Sequence, residues 1–186
     1  MRYAVEFFFD DNTERYVKDI WNELKAQGIT AFMADIEELR PHITVAVYNS
    51  EIPIEKFITQ FINVTKAMSK IDVKFDAISI FPTTGTVFLS PTMTFQLFNT
   101  HGDYCNALKE YDNFDNYNGF NLPDNWSPHC TLATRLNPIT LISALECCLN
   151  KFKPLTGKIN EIGIVKLDYI NDNCISSKTI FSTVLS

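Results

Sequence analysis

Two segments of this chain repeat one another. Arg40-Pro41-His42-Ile43-Thr44-Val45-Ala46 and Ser127-Pro128-His129-Cys130-Thr131-Leu132-Ala133 both read Pro-His-x-Thr-apolar-Ala at the start of an apolar strand. Around each motif the same order of elements recurs: strand, helix, His-x-Thr strand, Pro-opened helix, strand. From each histidine to the strand after its helix is roughly thirty residues in both halves, as an internal duplication gives. No linker rich in Pro, Gly or Ser separates the halves, about 1–90 and about 91–186. The expectation is therefore a single domain over 1–186 with two lobes that share one interface.

The periodicities fill in that frame. Tyr3 to Phe9 reads as a strand. Asp11 is expected to cap a helix, with Glu14 completing a capping box, Val17, Ile20, Trp21 and Leu24 as its apolar stripe, and Gly28 as its stop. Thr30 to Met33 reads as a weak strand, and Ile43, Val45 and Val47 alternate as a firmer one. Pro53 opens a helix with Phe57, Ile58, Phe61 and Ile62 on one stripe. Strands are expected over Ile71 to Phe81, Thr86 to Leu89 and Met93 to Phe98. A helix is then expected from about His101 to Tyr111, a polar and aromatic loop over Asp112 to Trp126, and a strand over Cys130 to Ala133. Asn137 and Pro138 start a helix, and Ile159 to Leu167 and Thr179 to Leu185 read as the last strands.

Almost half of the residues are apolar and Phe is frequent, so a sizeable core can form in 186 residues. The net charge of −6 argues against a general nucleic-acid coat protein, but not against a small phosphate ligand. The apolar N-terminal run is short and broken by Glu6, so it reads as a strand rather than a signal peptide, and no stretch is long enough to span a membrane. Cys105, Cys130, Cys147, Cys148 and Cys174 form no CxxC pair; free thiols in a reducing cytoplasm are the expectation.

Side chains alternate along a strand, so each histidine and the threonine two residues on face the same side, while Ile43 and Cys130 point into packing. Two such strands related by a pseudo-two-fold would set two imidazoles across one cleft. That pattern suits phosphodiester cleavage. In-line displacement needs a base on the attacking oxygen and an acid on the leaving oxygen, and histidine titrates near neutrality. Threonine hydroxyls can donate to the non-bridging oxygens. The plainer alternative is two strand histidines hydrogen-bonded within the sheet.

The motifs His42-Ile43-Thr44-Val45 and His129-Cys130-Thr131-Leu132 resemble those of the 2H phosphoesterase superfamily, which includes the bacterial 2′-5′ RNA ligase-like proteins and the cyclic nucleotide phosphodiesterases. The resemblance covers nearly the whole chain. It implies an α+β fold, bilobal, with two pseudo-symmetric lobes, each a mainly antiparallel sheet with flanking helices, around a central cleft. It also implies hydrolysis of 2′,3′-cyclic or related phosphodiesters of nucleotides or RNA ends without metal or cofactor, with a possible 2′-5′ ligase-like activity. His42 and His129 are then the catalytic pair, and Thr44 and Thr131 hold the phosphate. Ligase-like members often carry an arginine five residues after the second histidine. Here that position is Thr134, and Arg135, one later, falls on the other strand face.

Other residues are open to two readings. Arg40, Arg135 and Lys74 are candidate phosphate-steering charges or solvated side chains. Phe120 and Trp126 could stack on a nucleobase, or pin a surface loop to the core together with Phe114. His101 is expected to be solvent-exposed at a helix start. No metal-ligand spacing is visible. The expected partner is a nucleotide or short RNA substrate, with no membrane and no obligate protein partner. The rival class is a phosphate-ligand binding or regulatory module with little turnover.

Overall fold

The computed structural model describes residues 1–115 and 119–186. β1 (Arg2–Phe9) leads into α1 (Asp11–Ala26), a short α2 (Phe32–Asp35), β2 (His42–Tyr48), α3 (Ile54–Thr65) and β3 (Ile71–Phe81). β4 (Thr86–Pro91), α4 (Phe95–Ala107), a 3-10 helix (Lys109–Phe114), β5 (Cys130–Ala133), α5 (Pro138–Lys151) and β6 (Leu155–Ile170) repeat that order, and β7 (Asn173–Val184) follows. Among the described residues no helix is long and apolar enough to cross a membrane.

These strands form one antiparallel sheet, ordered β2-β1-β6-β3-β4-β5, with β7 added to β6. A pseudo-two-fold therefore relates β2 to β5, β1 to β4 and β6 to β3. The central pair runs from Ile71 opposite Ile159 to Phe75 opposite Leu155. Each repeat thus lends its last strand to the other: β6 pairs with β1, and β3 pairs with β4.

Alternation on β1 builds two layers at once. Tyr3, Val5, Phe7 and Phe9 point into the main core with Val17, Ile20, Trp21 and Leu24 of α1. Ala4 and Phe8 face the other way, into a smaller cluster with Val47, Val165 and Leu167. Phe57 ties α3 to this frame, with its ring 5.0 Å from Tyr48 and 4.9 Å from Tyr111.

Local chemistry moves several boundaries from where periodicity alone sets them. The cap of α1 is Asp10, not Asp11; its carboxylate accepts from the N–H groups of Asn12 and Thr13 at 3.1 and 3.0 Å. Glu14 makes no capping box and pairs instead with Lys18 and Arg40. Thr30 to Met33 is no strand: the Thr30 hydroxyl accepts from the Phe32 N–H at 3.2 Å and α2 begins there. Met93 to Phe98 is no strand either, because Thr94 caps α4 by accepting from the Leu97 N–H at 3.1 Å. The first strand of the second repeat is β4, before that helix. The helix expected to end at Tyr111 ends at Ala107 and continues as the 3-10 turn.

Candidate active site

β2 and β5 are the two ends of the strand path, so each has a partner strand along one side only, with a single bridge from Tyr48 to Asp115 at the end of β2. The sheet brings these two edges into contact. An edge strand leaves backbone carbonyls without a ladder partner. Here the two tryptophans supply donors. Trp126 Nε1 donates to the Thr44 carbonyl at 2.9 Å, and Trp21 Nε1 donates to the Thr131 carbonyl at 3.0 Å. The pairing is crossed, since Trp126 precedes the second motif and braces the first. His101 Nε2 adds a bond to the Val45 carbonyl at 3.2 Å.

The two histidines are held alike. Nδ1 of His42 lies 2.7 Å from the Arg40 carbonyl, and Nδ1 of His129 lies 2.8 Å from the Ser127 carbonyl. A carbonyl only accepts, so both Nδ1 atoms carry a proton and donate, which leaves Nε2 as the titrating atom of each ring. Both rings and both threonine side chains line one cleft of about 690 Å³, together with Glu6, Phe81, Thr84, Phe120 and Trp126. Ile43 and Cys130 are fully buried on the opposite strand face, and burial pushes the Cys130 thiol up to about 12. That disfavours a resting thiolate nucleophile there.

The surroundings of the two rings differ. On β1, Glu6 sits opposite Thr44; on β4, the corresponding place opposite Thr131 is Phe88. Glu6 is 2% exposed, its Oε2 lies 3.4 Å from His42 Nδ1, and that oxygen has no hydrogen-bond donor among the described residues. Burial raises the Glu6 carboxyl above the usual range, and His42 and Arg40 pull it back. His129 has aromatic neighbours instead, with ring centroids 5.0 Å from Phe81 and 5.2 Å from Phe88. Burial, and the nearby His42, hold its ring below the ordinary histidine value against the opposing pull of the Ser127 carbonyl. A positive charge on His42 has a carboxylate beside it; one on His129 has phenyl rings.

The other expected site residues divide. Phe120 stands exposed at the cleft rim, with 69% of its surface free. Trp126 lines the cleft but is buried, stacked parallel on His101 at 3.7 Å, so it pins its loop as well as facing the site. His101 is fully buried rather than solvent-exposed: α4 starts six residues earlier than expected and carries it inward with Leu97 and Tyr104. Arg40 does not line the cleft. Glu14 and Glu161 each hold its guanidinium at 2.8 Å, and it lies 4.0 Å over the Phe8 ring. Arg135 is also absent from the lining, with φ +60 and a side chain bonded to Asn173 and the Asp172 carbonyl. Lys74 pairs with Asp76 on the exposed face of β3. Among the described residues no three His, Cys, Asp or Glu side chains group to hold a metal ion. Glu6 is the site residue that motif reading passes over, although a lone charge inside Tyr3-Ala4-Val5-Glu6-Phe7-Phe8-Phe9 is itself a signal.

Imidazole and hydroxyl pairs on pseudo-symmetric strands around one cleft are the arrangement of a two-histidine phosphoesterase fold. The particular family follows from its sequence pattern: the model of the 2'-5' RNA ligase superfamily matches residues 9–169, and the chain belongs to that superfamily. Membership supports an enzyme of phosphodiesterase or ligase type. Among solved structures the chain is similar to TT0787 of Thermus thermophilus, with 12% identity, a TM-score of 0.64, and 100% of this chain and 98% of that one covered. It is also similar to E. coli LigT complexed with 3'-AMP (12%, TM-score 0.62, 100% and 98%) and with NADP+ (10%, TM-score 0.62, 100% and 97%). At these identities the likeness speaks for the fold. Among curated proteins none matches the chain.

Proposed function

We propose that the protein is a phosphodiesterase that hydrolyses 2′,3′-cyclic phosphates or related ribose phosphodiesters, with His129 as general base and His42 as general acid. The observation that carries this reading is the matched pair of His-x-Thr strands facing one cleft, each ring oriented by its own backbone carbonyl. His129 Nε2 takes a proton from water, whose oxygen attacks phosphorus in line. As the bond from phosphorus to the ribose oxygen breaks, the proton on His42 Nε2 passes to that oxygen. The product is a ribose monophosphate with a free neighbouring hydroxyl. Thr44 and Thr131 donate to the non-bridging oxygens. The Glu6 carboxyl lies 3.4 Å from His42, on the side assigned to the acid, and burial among the Phe81 and Phe88 rings favours the neutral His129 that a base requires. E. coli LigT, of the same fold, is complexed with 3'-AMP, a molecule of the product type.

The test is turnover of mixed 2′,3′-cyclic nucleotides in buffer with EDTA, with thermal melts run alongside. Wild type is expected to turn over. His42→Ala and His129→Ala should stay folded and each lose about 10²- to 10⁴-fold in kcat. The double variant should lose less than the product of the two, since the pair acts as a unit. A folded single variant with wild-type turnover would falsify the mechanism, and absence of turnover in wild type would favour a binding module.

A further inference from the structure

Among the described residues that line the cleft there is no lysine and no arginine. The three residues outside the described set, Asn116, Tyr117 and Asn118, carry no formal charge either. The two cations nearest the motifs in sequence are engaged elsewhere: Arg40 by Glu14 and Glu161, Arg135 by Asn173 and the Asp172 carbonyl. Beyond its two imidazoles and the side-chain amides of Asn121 and Asn125, what the cleft offers falls into two regions. One is a set of neutral hydroxyls, in which Thr84, Thr86 and Thr134 form a chain with oxygen separations of 2.9 and 2.7 Å. The other is an apolar wall of Met33, Ile36, Leu39, Val47 and Leu167, with the buried carboxylate of Glu6 beside it.

Among the described residues, that lining sets no lysine or arginine against a second negative charge. A single phosphodiester anion between the histidines meets one imidazolium and several hydroxyl donors. A second phosphate on the same ligand would meet neutral hydroxyls and amides, apolar carbon or the Glu6 carboxyl, and no cation, after giving up its water. The protein's net charge of −6 adds repulsion at longer range. We propose that the cleft selects a phosphodiester bearing a single negative charge, with an uncharged organic group laid against the apolar wall, and discriminates against the same molecule bearing a second phosphate. This rests on the hydrolytic reading above for where the phosphodiester sits.

The experiment pairs two ligands: a 2′,3′-cyclic nucleoside phosphate with a free 5′-hydroxyl, and the same compound with a 5′-phosphate. kcat/KM is measured for both on wild type at low and high salt. Binding of both to full-length His129→Ala is measured by calorimetry. The singly charged compound should be favoured by at least about tenfold in both readouts, with the gap narrowing in salt. Thr83→Lys, which adds a cation at the exposed lining, should narrow it further. Equal or better use of the 5′-phosphorylated compound overturns the charge selection and leaves hydrolysis standing. A binding preference without any turnover on wild type does the reverse. No binding of either compound overturns the charge selection as well.

Discussion

Phe88 stands against Thr131 where Glu6 stands against Thr44, and this difference puts a carboxyl beside one half-site and a phenyl ring beside the other. A duplicated site starts with two equivalent rings, whereas acid–base catalysis needs one charged and one neutral. Glu6→Gln keeps the size and the hydrogen-bonding capacity of the side chain and removes its charge. If His42 is the acid, the alkaline limb of the kcat/KM profile should move to lower pH, because the imidazolium has lost its Coulombic partner, while the acid limb stays in place. A merely structural role would scale the whole profile without moving either limb. A shift of the acid limb alone would mean that the roles of the two histidines are reversed. The limbs belong to the coupled pair, so the comparison is between profiles of wild type and variant rather than single assigned values. The histidines and threonines of the site were legible in the sequence because strand alternation ties residues i and i+2 to one face. The placement of Arg40 and Arg135 was not, since what decides it is Glu161 and Asn173, distant in sequence.

At the scale of elements, β2 and β5 owe their positions to side chains that brace their open edges. Trp126 and Trp21 donate to the two motif threonine carbonyls, and α4 contributes His101 to the next carbonyl of β2. The ring of His101, stacked under Trp126 and without exposure, is pushed by burial down to about 4 from an ordinary 6.5. Between those two values the unfolded chain binds the proton that the folded chain refuses. Stability should therefore be full above about pH 6.5, fall as pH drops toward 4, and lose nothing further from this group below that, with an upper limit of about 3 kcal/mol. His101→Phe keeps an aromatic stack and removes the titration. It should be less stable than wild type at neutral pH, having lost the bond to Val45, yet show a shallower decline of Tm between about pH 6.5 and about pH 4.5. A decline as steep as that of wild type would assign the pH sensitivity to other groups. Periodicity located most of the elements, because stripes such as Val17, Ile20, Trp21 and Leu24 are set by burial on one face. It failed at Thr30 and Thr94, where a hydroxyl bonded to a nearby N–H turns an apolar run helical. The burial of His101 was still readable in the spacing Leu97, His101, Tyr104, Leu108, once the helix start is moved back to Phe95.

The sheet order of the whole molecule is symmetric about its central pair, β6 and β3, and amounts to an exchange of strands between early and late parts of the chain. β6, late in the chain, pairs with β1 at its start, and β3 pairs with β4, which ends at Pro91 near the midpoint of the chain. Element order in the sequence exposes the repeat but not the exchange, because pairing partners are chosen in space. The exchange has a physical consequence. In a fragment ending near residue 90, β1 lacks β6, so its ladder is open on one side, and Phe7 and Phe9 lose the cover of Ile159 and Ile162. In the complementary fragment β5 has lost its ladder partner, β4, and β6 has lost β1 and β3 together. Neither piece retains three adjacent strands with a covered face, apart from what β6 and β7 form between them, and two strands alone are marginal. We therefore expect residues 1–90 and 91–186, expressed separately, to show no cooperative unfolding transition in urea. The intact chain should unfold in one transition, with fluorescence of Trp21 and Trp126 and far-ultraviolet circular dichroism giving coincident curves. Mixing the fragments should restore part of the signal and, with it, turnover, since both motifs are then present across the re-formed β3–β6 pair. Two separated transitions in the intact chain, or a fragment that melts cooperatively alone, would show that each half carries its own core and that the exchanged strands are dispensable to it.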